Sequence, residues 1–508
     1  MLMKKVLGLV MIVLICHSME GWAQDLRDIV SDDDLSFLKM MTVTVIDSSC
    51  VHTGQSVSIL SGQNKTGGTL ILPGARGCYP AFWIRDYAMA LDCGIIAQKA
   101  QQHMLNVTAK TQCTQTWITK NGCLIPFGSV ADHVRINDGL PVYFPGTYSY
   151  EEQGDGRWGM TPPYTDQFLF IHMAYCYTRM FEMSKVLRKS IGGYELMNRL
   201  EWSFNVPPSH KDNQIVYTTS DFRGVDFGFR DAIVIEGDLA ISSVYKYRAA
   251  KEMAELFGLL GNKVKMKYYN NVAAALKKNI PVVFCNKRGL LMAGTKLGRQ
   301  GDVWSTALAV YFGILENEDK EKACRALAEG YKHKMLSYKG NIRHVMCDED
   351  FSELSMWEVG KQNNLPKKGT YQNGAYWGTA TGWVCYAIAQ VDMAAAQQLA
   401  KEYITDLREN DFRQGGNCGA PYECFNVDYA QNPIYMTTVA SPLDAFLVMK
   451  GQSWWQKKSN ELTGLTTFGG GGSESSYFDT IDSAITEESL NPLKTRVEEM
   501  NHTPDVEH

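Results

Sequence analysis

Residues 301–334 read GDVWSTALAVYFGILENEDKEKACRALAEGYKHK, and this stretch contains the pattern that decides the fold. Apolar residues recur at three- and four-residue intervals from Asp302, and a second helical stretch follows at residues 320–334. Such spacing is typical of amphipathic α-helices, and roughly six pairs of them are predicted. The same pattern begins near Ile84, Asp166, Gly237, Tyr376 and Ser441, and other second stretches lie at residues 263–278 and 393–409.

The loops between these helix pairs are rich in Gly, Trp, Asp and Glu. Residues 72–86 (LPGARGCYPAFWIRD) and 371–383 (YQNGAYWGTATGW) are examples. Solenoid repeats usually resemble one another, whereas these pairs share only position and composition, which disfavours an open solenoid. The pattern instead predicts a mainly α fold, an (α/α)6 toroid over residues 73–455, whose loops gather at one end as a cleft.

The first 23 residues read as a secretory signal. Two lysines precede an apolar run at residues 6–16, and small residues at positions 21 and 23 mark a cleavage site before Gln24. The run is shorter than the about 20 residues that a transmembrane helix needs. We therefore expect export to the periplasm or the medium without stable membrane insertion. Lipidation of Cys16 is the alternative, although Ile15 stands where a small residue is expected.

Two segments flank the predicted barrel. Between residues 42 and 72, the stretches TVTVI, VSIL and TLIL alternate β-branched and polar residues, which predicts a small β-rich lead-in at residues 24–72. Residues 469–473 (GGGGS) are typical of a flexible linker, and an acidic stretch follows. We assign residues 456–508 to this linker and tail, which is either a join between fused segments or a natural appendage.

Composition and charge limit the partners of the chain. The 50 Lys and Arg residues against 55 Asp and Glu residues leave a net charge of −5 without a long basic cluster. Nucleic-acid binding requires such a cluster to neutralise phosphates, so nucleic acid is not expected as a partner. The 13 cysteines are compatible with disulfides and with buried free thiols. The pairs closest in sequence are Cys78 with Cys93, Cys113 with Cys123, and Cys418 with Cys424.

No metal or phosphate motif is evident in the sequence. The Asp32-Asp33-Asp34 run lacks the alternating ligands and the glycine of an EF-hand loop. Neither an HExxH motif nor a glycine-rich phosphate loop occurs. The sequence therefore predicts no metal and no cofactor.

Five tryptophans in or beside the loops suggest a sugar-binding cleft. Their faces suit stacking on the apolar C–H faces of pyranose rings, and the neighbouring Asp, Glu, Gln, Asn and Arg side chains suit the hydroxyls. Tryptophans in helical proteins often lie in the core, and that alternative stays open for each one. The five are Trp83, Trp158, Trp304, Trp377 and Trp383.

Four short motifs resemble those of the six-hairpin glycosidases, the group that includes trehalases, processing α-glucosidases, glucoamylases and debranching enzymes. Pro73-Gly74-Ala75-Arg76 with Trp83-Ile84-Arg85-Asp86 is similar to a trehalase signature, with the aspartate spaced as in debranching enzymes. The resemblance covers roughly residues 70–450 and implies that Arg85 and Asp86 bind hydroxyls of the terminal sugar.

The second motif, Gly224-Val225-Asp226-Phe227-Gly228-Phe229-Arg230, resembles the segment that carries the general acid in this group. It implies that Asp226 is the acid, and the apolar neighbours Val225 and Phe227 would raise its pKa as an acid catalyst requires. Competing carboxyls lie nearby, and a loop or helix-capping aspartate is the structural alternative. These competitors are Asp231, Glu236 and Asp238.

The remaining motifs complete the predicted site. The segment from Gln372 to Trp377 resembles the region that shapes the sugar pocket and adds Asn373, Trp377 and Trp383 as binding residues. Glu423, in Pro421-Tyr422-Glu423-Cys424, occupies the place where the family carries its base. Asp302 and Trp304 suit hydroxyl binding in another loop, although Asp302 is equally placed to cap the following helix.

Together these features predict an exo-acting glycoside hydrolase that releases a terminal sugar, α-linked glucose or a related hexose, with inversion of the anomeric centre. Two carboxyl groups suffice for this reaction, one as acid and one as base. A phosphorylase on the same fold, a polysaccharide lyase and a non-catalytic glycan-binding protein are the alternatives. The expected partner in each case is an oligosaccharide or glycoside.

Overall fold

The computed structural model describes residues 26–57, 62–75, 78–351 and 369–457. The predicted signal at residues 1–23, Arg76 of the first motif and the linker and tail from residue 458 onward lie outside this part of the chain. Within it, no helix combines the length and the apolar character needed to cross a membrane.

The described residues form a mainly helical protein, as the sequence predicts. The twelve α-helices of the described residues, numbered in chain order, are Asp32–Ser49 (α1), Ile84–Ala90 (α2), Gln98–Thr111 (α3), Tyr164–Met180 (α4), Leu196–Phe204 (α5), Ala240–Leu259 (α6), Lys263–Phe284 (α7), Val303–Tyr311 (α8), Asn317–Lys332 (α9), Thr381–Ala389 (α10), Met393–Glu409 (α11) and Thr437–Met449 (α12).

The strands are short and form small antiparallel sheets. One sheet has three strands, in the order Ala81–Trp83, His133–Arg135 and Pro141–Val142, and the others in the described part of the chain have two. The strands are Cys50–Val51 (β1), Leu70–Ile71 (β2), Ala81–Trp83 (β3), Trp117–Ile118 (β4), Leu124–Ile125 (β5), His133–Arg135 (β6), Pro141–Val142 (β7), Ser190–Ile191 (β8), Tyr194–Glu195 (β9), Tyr217–Thr218 (β10), Gly237–Asp238 (β11), Leu291–Met292 (β12), Gly301–Asp302 (β13), Ser337–Tyr338 (β14), Asn341–Ile342 (β15), Tyr422–Asn426 (β16) and Tyr429–Pro433 (β17).

The even-numbered helices contact one another in cyclic order. Helix α2 packs on α4, α4 on α6, α6 on α8, α8 on α10, α10 on α12, and α12 returns to α2. The odd-numbered helices lie against this ring: α1 on α12, α3 and α5 on α4, α7 on α6, α9 on α8 and α10, and α11 on α10. The chain therefore alternates between a ring helix and a helix packed against the ring.

Sequence composition separates the two kinds of helix. Helix α8, VWSTALAVY, is buried along its whole length, whereas α9, NEDKEKACRALAEGYK, buries only one face. A helix that is apolar all round belongs in an interior, and an amphipathic helix covers it with one side. The hydrophobic core accordingly lies between the two sets of helices.

The β-rich lead-in predicted for residues 24–72 is wrong over its first stretch, because TVTVI lies inside helix α1. The Ser31 hydroxyl accepts a hydrogen bond from the Asp34 N–H at the start of this helix, and three aspartates in its first turn suit the helix dipole. Helical burial thus outweighs the β-propensity of the threonines and valines. The buried side is Leu35, Phe37, Leu38, Met41, Thr42, Val45, Ile46 and Ser49.

The remaining strand prediction survives only in β1 and β2, which pair as Cys50 with Ile71 and Val51 with Leu70. Residues 58–60 of VSIL lie outside the described residues. No disulfide joins the cysteines of the described chain, so the three close pairs are not bridged there.

Candidate active site

A cavity of about 170 Å³ opens among the segments that precede the ring helices. Its lining comes from the chain before and at the start of α2, and from the loops before α4, α6, α10 and α12, so one end of the ring supplies it. The lining residues are Pro73, Tyr79, Trp83, Arg85, Asp86, Pro145, Gly146, Tyr148, Trp158, Gly228, Phe229, Asp231, Tyr371, Glu423 and Tyr435. Three of them carry buried carboxyl groups: Asp86, Asp231 and Glu423.

Glu423 lies on strand β16 and accepts hydrogen bonds from three side chains. The Tyr79 hydroxyl lies 3.0 and 3.1 Å from its two oxygens, and the amide nitrogens of Gln431 and Asn432 lie 3.0 and 2.5 Å from Oε2. The pairing of β16 with β17 brings these amides beside the glutamate. Burial raises the pKa of Glu423 to about 8, although the three donors lower it.

Asp231 follows a single 3-10 turn, Gly228–Arg230, in the loop before α6. The Gln372 amide nitrogen donates to its Oδ1 at 2.7 Å, and the same amide accepts from the Ala232 N–H at 2.7 Å. Burial raises the pKa of Asp231 to about 7. Two carboxyls with pKa values near neutrality, Asp231 and Glu423, therefore line one small cavity.

Arg85 and Asp86 form the third polar group of the cavity, as the first motif predicts. Arg85 Nη1 donates to Asp132 at 3.1 Å and to Asp166 at 3.3 Å, and its guanidinium lies 5.4 Å from the Phe229 ring centre. Asp86 accepts a hydrogen bond from the Tyr435 hydroxyl, and burial raises its pKa to about 6.

The lack of a side chain at Gly228 leaves room for the Arg85 guanidinium. A Cβ atom at Gly228 would lie 1.7 Å from Arg85 Nη1 and 1.9 Å from Cζ, which is far inside contact distance. The guanidinium therefore rests directly on the backbone of the turn that leads to Asp231. This close approach couples the position of Arg85 to the turn that precedes Asp231.

Asp226, the acid predicted from sequence, lies behind the cavity wall. It is buried, and its Oδ2 accepts from Arg230 Nε and Nη2 at 2.9 and 2.5 Å. Arg230 also donates to Asp302 at 2.6 Å, which ties Asp226 into a core ion pair. Asp226 therefore does not line the cavity, whereas Asp231 does, because the 3-10 turn lies between the two aspartates.

The tryptophans divide between the cavity and the core. Trp83 and Trp158 line the cavity, whereas Trp304, Trp377 and Trp383 do not. The last three are buried and touch each other edge-on around Trp304, with ring centres 6.0 and 6.1 Å apart. These three positions match the core alternative, and Trp304 and Trp383 lie within the ring helices α8 and α10.

Asp302 and Asn373 also lie away from the cavity lining. Asp302 caps helix α8 by accepting hydrogen bonds from the Trp304 and Ser305 N–H groups at 3.0 and 3.1 Å. Asn373 is buried, and its N–H donates to the carbonyl oxygen of Thr370. Both predicted binding residues therefore have structural positions.

Several lining or supporting residues carried no signal in the sequence. Tyr79 falls within the first motif, but nothing in a chain with 25 tyrosines marks it as a partner of Glu423. Asp231 was visible only as a competitor of Asp226. The other residues without a signal are Tyr148, Phe229, Tyr371, Tyr435, Gln431 and Asn432.

A buried cluster outside the cavity lining has metal-ligating residue types but already contains a cation. Ligand atoms of Asp92, His172 and Cys176 lie within 4.8 Å of one another. Arg248 Nη2 lies 2.7 Å from an Asp92 oxygen and 3.0 Å from His172 Nε2. Because the guanidinium occupies the place that a metal would take, the cluster fits an ion-pair network better than a metal site.

Comparison with known proteins identifies the fold. Hormoconis resinae glucoamylase matches with a TM-score of 0.51 and 13% identity, over 84% of this chain and 75% of that one. A wild-type glycosidase matches with a TM-score of 0.50 and 10% identity, over 83% and 99%. A family GH78 rhamnosidase of Bacillus sp. GL1 matches with a TM-score of 0.48 and 11% identity, over 84% of this chain and 35% of that one.

The chain thus spans about a third of the length of that rhamnosidase. No family model matches the chain, and no curated protein matches its sequence. At these identities the likeness establishes the fold, and the predicted resemblance to six-hairpin glycosidases is confirmed at that level.

Proposed function

We propose that this protein is an exo-acting glycoside hydrolase built on an (α/α)6 toroid. The observation that carries the proposal is the pair of buried carboxyls, Asp231 and Glu423, on the wall of one small cavity. Acid and base catalysis of glycoside cleavage requires two carboxyls beside the scissile bond, one protonated and one ionised. The closed cycle of contacts among the six even-numbered helices supports the toroid.

The size of the cavity favours removal of one terminal sugar. Its volume of about 170 Å³ is below the roughly 300–1,000 Å³ of pockets that enclose drug-sized ligands. Arg85 Nε is buried without a hydrogen-bond partner in the described chain and lies 4.0 Å from Asp86 Oδ2. A sugar hydroxyl can accept a hydrogen bond from Arg85 Nε and donate one to Asp86 Oδ2, which suits recognition of a terminal sugar.

The hydrogen bonds suggest which carboxyl takes which role. Three donors converge on Glu423, and donors favour the ionised form, so we assign Glu423 as the base that activates water. Asp231 receives one amide donor and is assigned as the acid that protonates the leaving oxygen. Water then attacks the face opposite the leaving group and inverts the anomeric centre.

The charge of the cavity favours hydrolysis of neutral sugars over phosphorolysis. Arg85 is the one cationic side chain among the described lining residues, and Asp132 and Asp166 already pair with it. A phosphate or a uronate carboxylate would be buried beside three carboxyls without a cation of its own, which is costly. The proposed sugar is α-linked glucose or a related neutral hexose.

Product analysis tests this proposal. Wild-type protein, Asp231→Asn, Glu423→Gln and the control Asp221→Asn, which alters an exposed loop aspartate, are incubated with α-linked disaccharides and aryl glycosides. NMR follows the anomer that is released first. We expect the β-anomer from an α-glucoside with wild type and the control, and a loss of at least about a hundredfold in each site variant. Full activity in Asp231→Asn, or binding without any turnover by wild type, contradicts the proposal.

We also propose that the protein is exported, on the strength of the apolar run at residues 6–16. Expression of the full chain followed by intact-mass measurement tests it. The expected mature form begins at Gln24 and appears outside the cytoplasm. An unprocessed chain confined to the cytoplasm contradicts the proposal.

A further inference from the structure

Two aromatic side chains stand at the opening of the cavity. The carboxyl groups and Phe229 are buried, whereas Tyr148 is 48% exposed and Trp158 is half-buried. Both residues come from the segment between β7 and α4, and Gly146 of the same segment is the other exposed lining residue. This segment therefore supplies the exposed lining residues of the described chain, whereas Tyr79 and Tyr371 elsewhere in the lining are half-buried.

The position of Trp158 is built into the backbone around it. Gly146 has a positive φ of 68°, and a Cβ atom there would lie 1.8 Å from Trp158 Cε2, so the indole rests on a bare backbone. Arg223 Nη2 donates to the carbonyl oxygens of Gly156 and Arg157 at 3.3 and 2.7 Å. These contacts hold the ring at the opening before any ligand binds, which lowers the ordering cost of stacking.

Tyr148 is held by the aromatic residues of β3 and β6. Its ring lies edge-on to Trp83, with centres 5.9 Å apart, and 5.3 Å from the ring centre of His133. Trp83 in turn stacks on His133 at 4.3 Å because β3 pairs with β6 in that register. The tyrosine therefore keeps a fixed place beside the opening while about half of its surface meets solvent.

We propose that Tyr148 and Trp158 form a leaving-group subsite that stacks on the group attached to the terminal sugar. This inference rests on the proposed function, because the terminal sugar must fill the buried part of the cavity. Its glycosidic oxygen then points to the opening, where Tyr148 is the one exposed side chain among the described lining residues. The leaving group beyond that oxygen lies against the rings of Tyr148 and Trp158. The subsite therefore prefers a second sugar ring or another flat group with an apolar face.

The test compares two substrates that share the terminal sugar but differ in the leaving group. One is an α-linked disaccharide and the other is the glycosyl fluoride, whose leaving group is too small to stack. For Trp158→Ala we expect the ratio of the two kcat/KM values, disaccharide over fluoride, to fall by about tenfold or more. The same ratio falls in Tyr148→Ala, and in Gly146→Ala, which displaces the indole without removing it.

Tyr268→Ala is the matched control, since Tyr268 on the ring-flanking helix α7 is 49% exposed and does not line the cavity. Its ratio is expected to equal that of wild type. An unchanged ratio in both Trp158→Ala and Tyr148→Ala overturns the subsite, and so does an equal loss on both substrates.

Binding to Glu423→Gln separates this inference from the proposed function. Calorimetry with the disaccharide and with its terminal monosaccharide gives the binding advantage of the second ring. The subsite predicts an advantage that Trp158→Ala removes. If wild type turns over neither substrate but shows this advantage, the hydrolase proposal fails and the subsite stands. If wild type is active but no advantage exists, the subsite fails alone.

Discussion

Gly228→Ala should disturb the site without touching a carboxyl group. The new methyl carbon would lie 1.7 Å from Arg85 Nη1, and Arg85 cannot withdraw without leaving Asp132 and Asp166, which are both buried. Overpacking alone costs about 1–3 kcal/mol, and loss of one partner from a buried ion pair costs about 3–5 kcal/mol. We therefore expect a loss of roughly 2–5 kcal/mol in the free energy of unfolding.

If Arg85 binds the terminal sugar as proposed, activity should fall with stability, because the displaced guanidinium would lose that contact. A loss of about 3 kcal/mol in transition-state binding corresponds to roughly a hundredfold in kcat/KM. Urea unfolding and disaccharide hydrolysis measure the two effects. Gly258→Ala is the control, since Gly258 lies within helix α6 and a Cβ there meets only Met266 Sδ at 3.4 Å. Wild-type stability and kcat/KM in Gly228→Ala would refute the reasoning.

Three further results follow from the same geometry. Because the pKa values of Asp231 and Glu423 lie at about 7 and about 8, the pair holds one proton between these values. In the proposed roles the active arrangement is the minor form, with this proton on Asp231 and Glu423 ionised, and its population and kcat/KM should still peak in this pH range; a plateau extending to pH 5 contradicts this. The raised pKa of Asp231 means that the folded state binds a proton more tightly than the unfolded state, so stability falls as pH rises from about 4 to about 7. Asp231→Asn should remove that part of the fall; the prediction is refuted if the difference in urea midpoint between the variant and wild type is the same at pH 5 and pH 8. Trp377→Phe should lower the free energy of unfolding by about 1–3 kcal/mol with KM unchanged, because Trp377 packs in the core; a raised KM at full stability would return it to the binding site.

The helices were predictable because their period is local. Burial along α8 and on one face of α9 follows directly from the order of apolar residues, and the cap of α8 by Asp302 follows from its place before them. The stretch TVTVI misled because its alternation also fits a helix whose buried positions begin earlier, at Leu35. A pattern of five residues cannot distinguish a strand from a helix, whereas a pattern of eighteen residues can.

The site was predictable only in part, since local motifs do not show where a side chain points. A second aspartate, Asp231, directly follows the motif around Asp226, and the turn Gly228–Arg230 decides that Asp231 faces the cavity while Asp226 pairs with Arg230. The loop tryptophans posed the same problem. Trp83 ends a strand and lines the cavity, but Trp304 and Trp383 lie inside ring helices and turn to the core.

The contact between Tyr79 and Glu423 shows what the ring itself contributes to the site. The two residues are 344 positions apart, and they meet because α12 returns to pack on α2. Tyr79 precedes α2 and Glu423 precedes α12, so the hydrogen bond exists only while the ring is closed. A change that weakens the packing of α12 on α2 would move Glu423 from its phenolic donor while each helix remains formed. Catalysis should therefore depend on ring closure more steeply than helical content does, because the carboxyls belong to different helix pairs and only the closed ring aligns them.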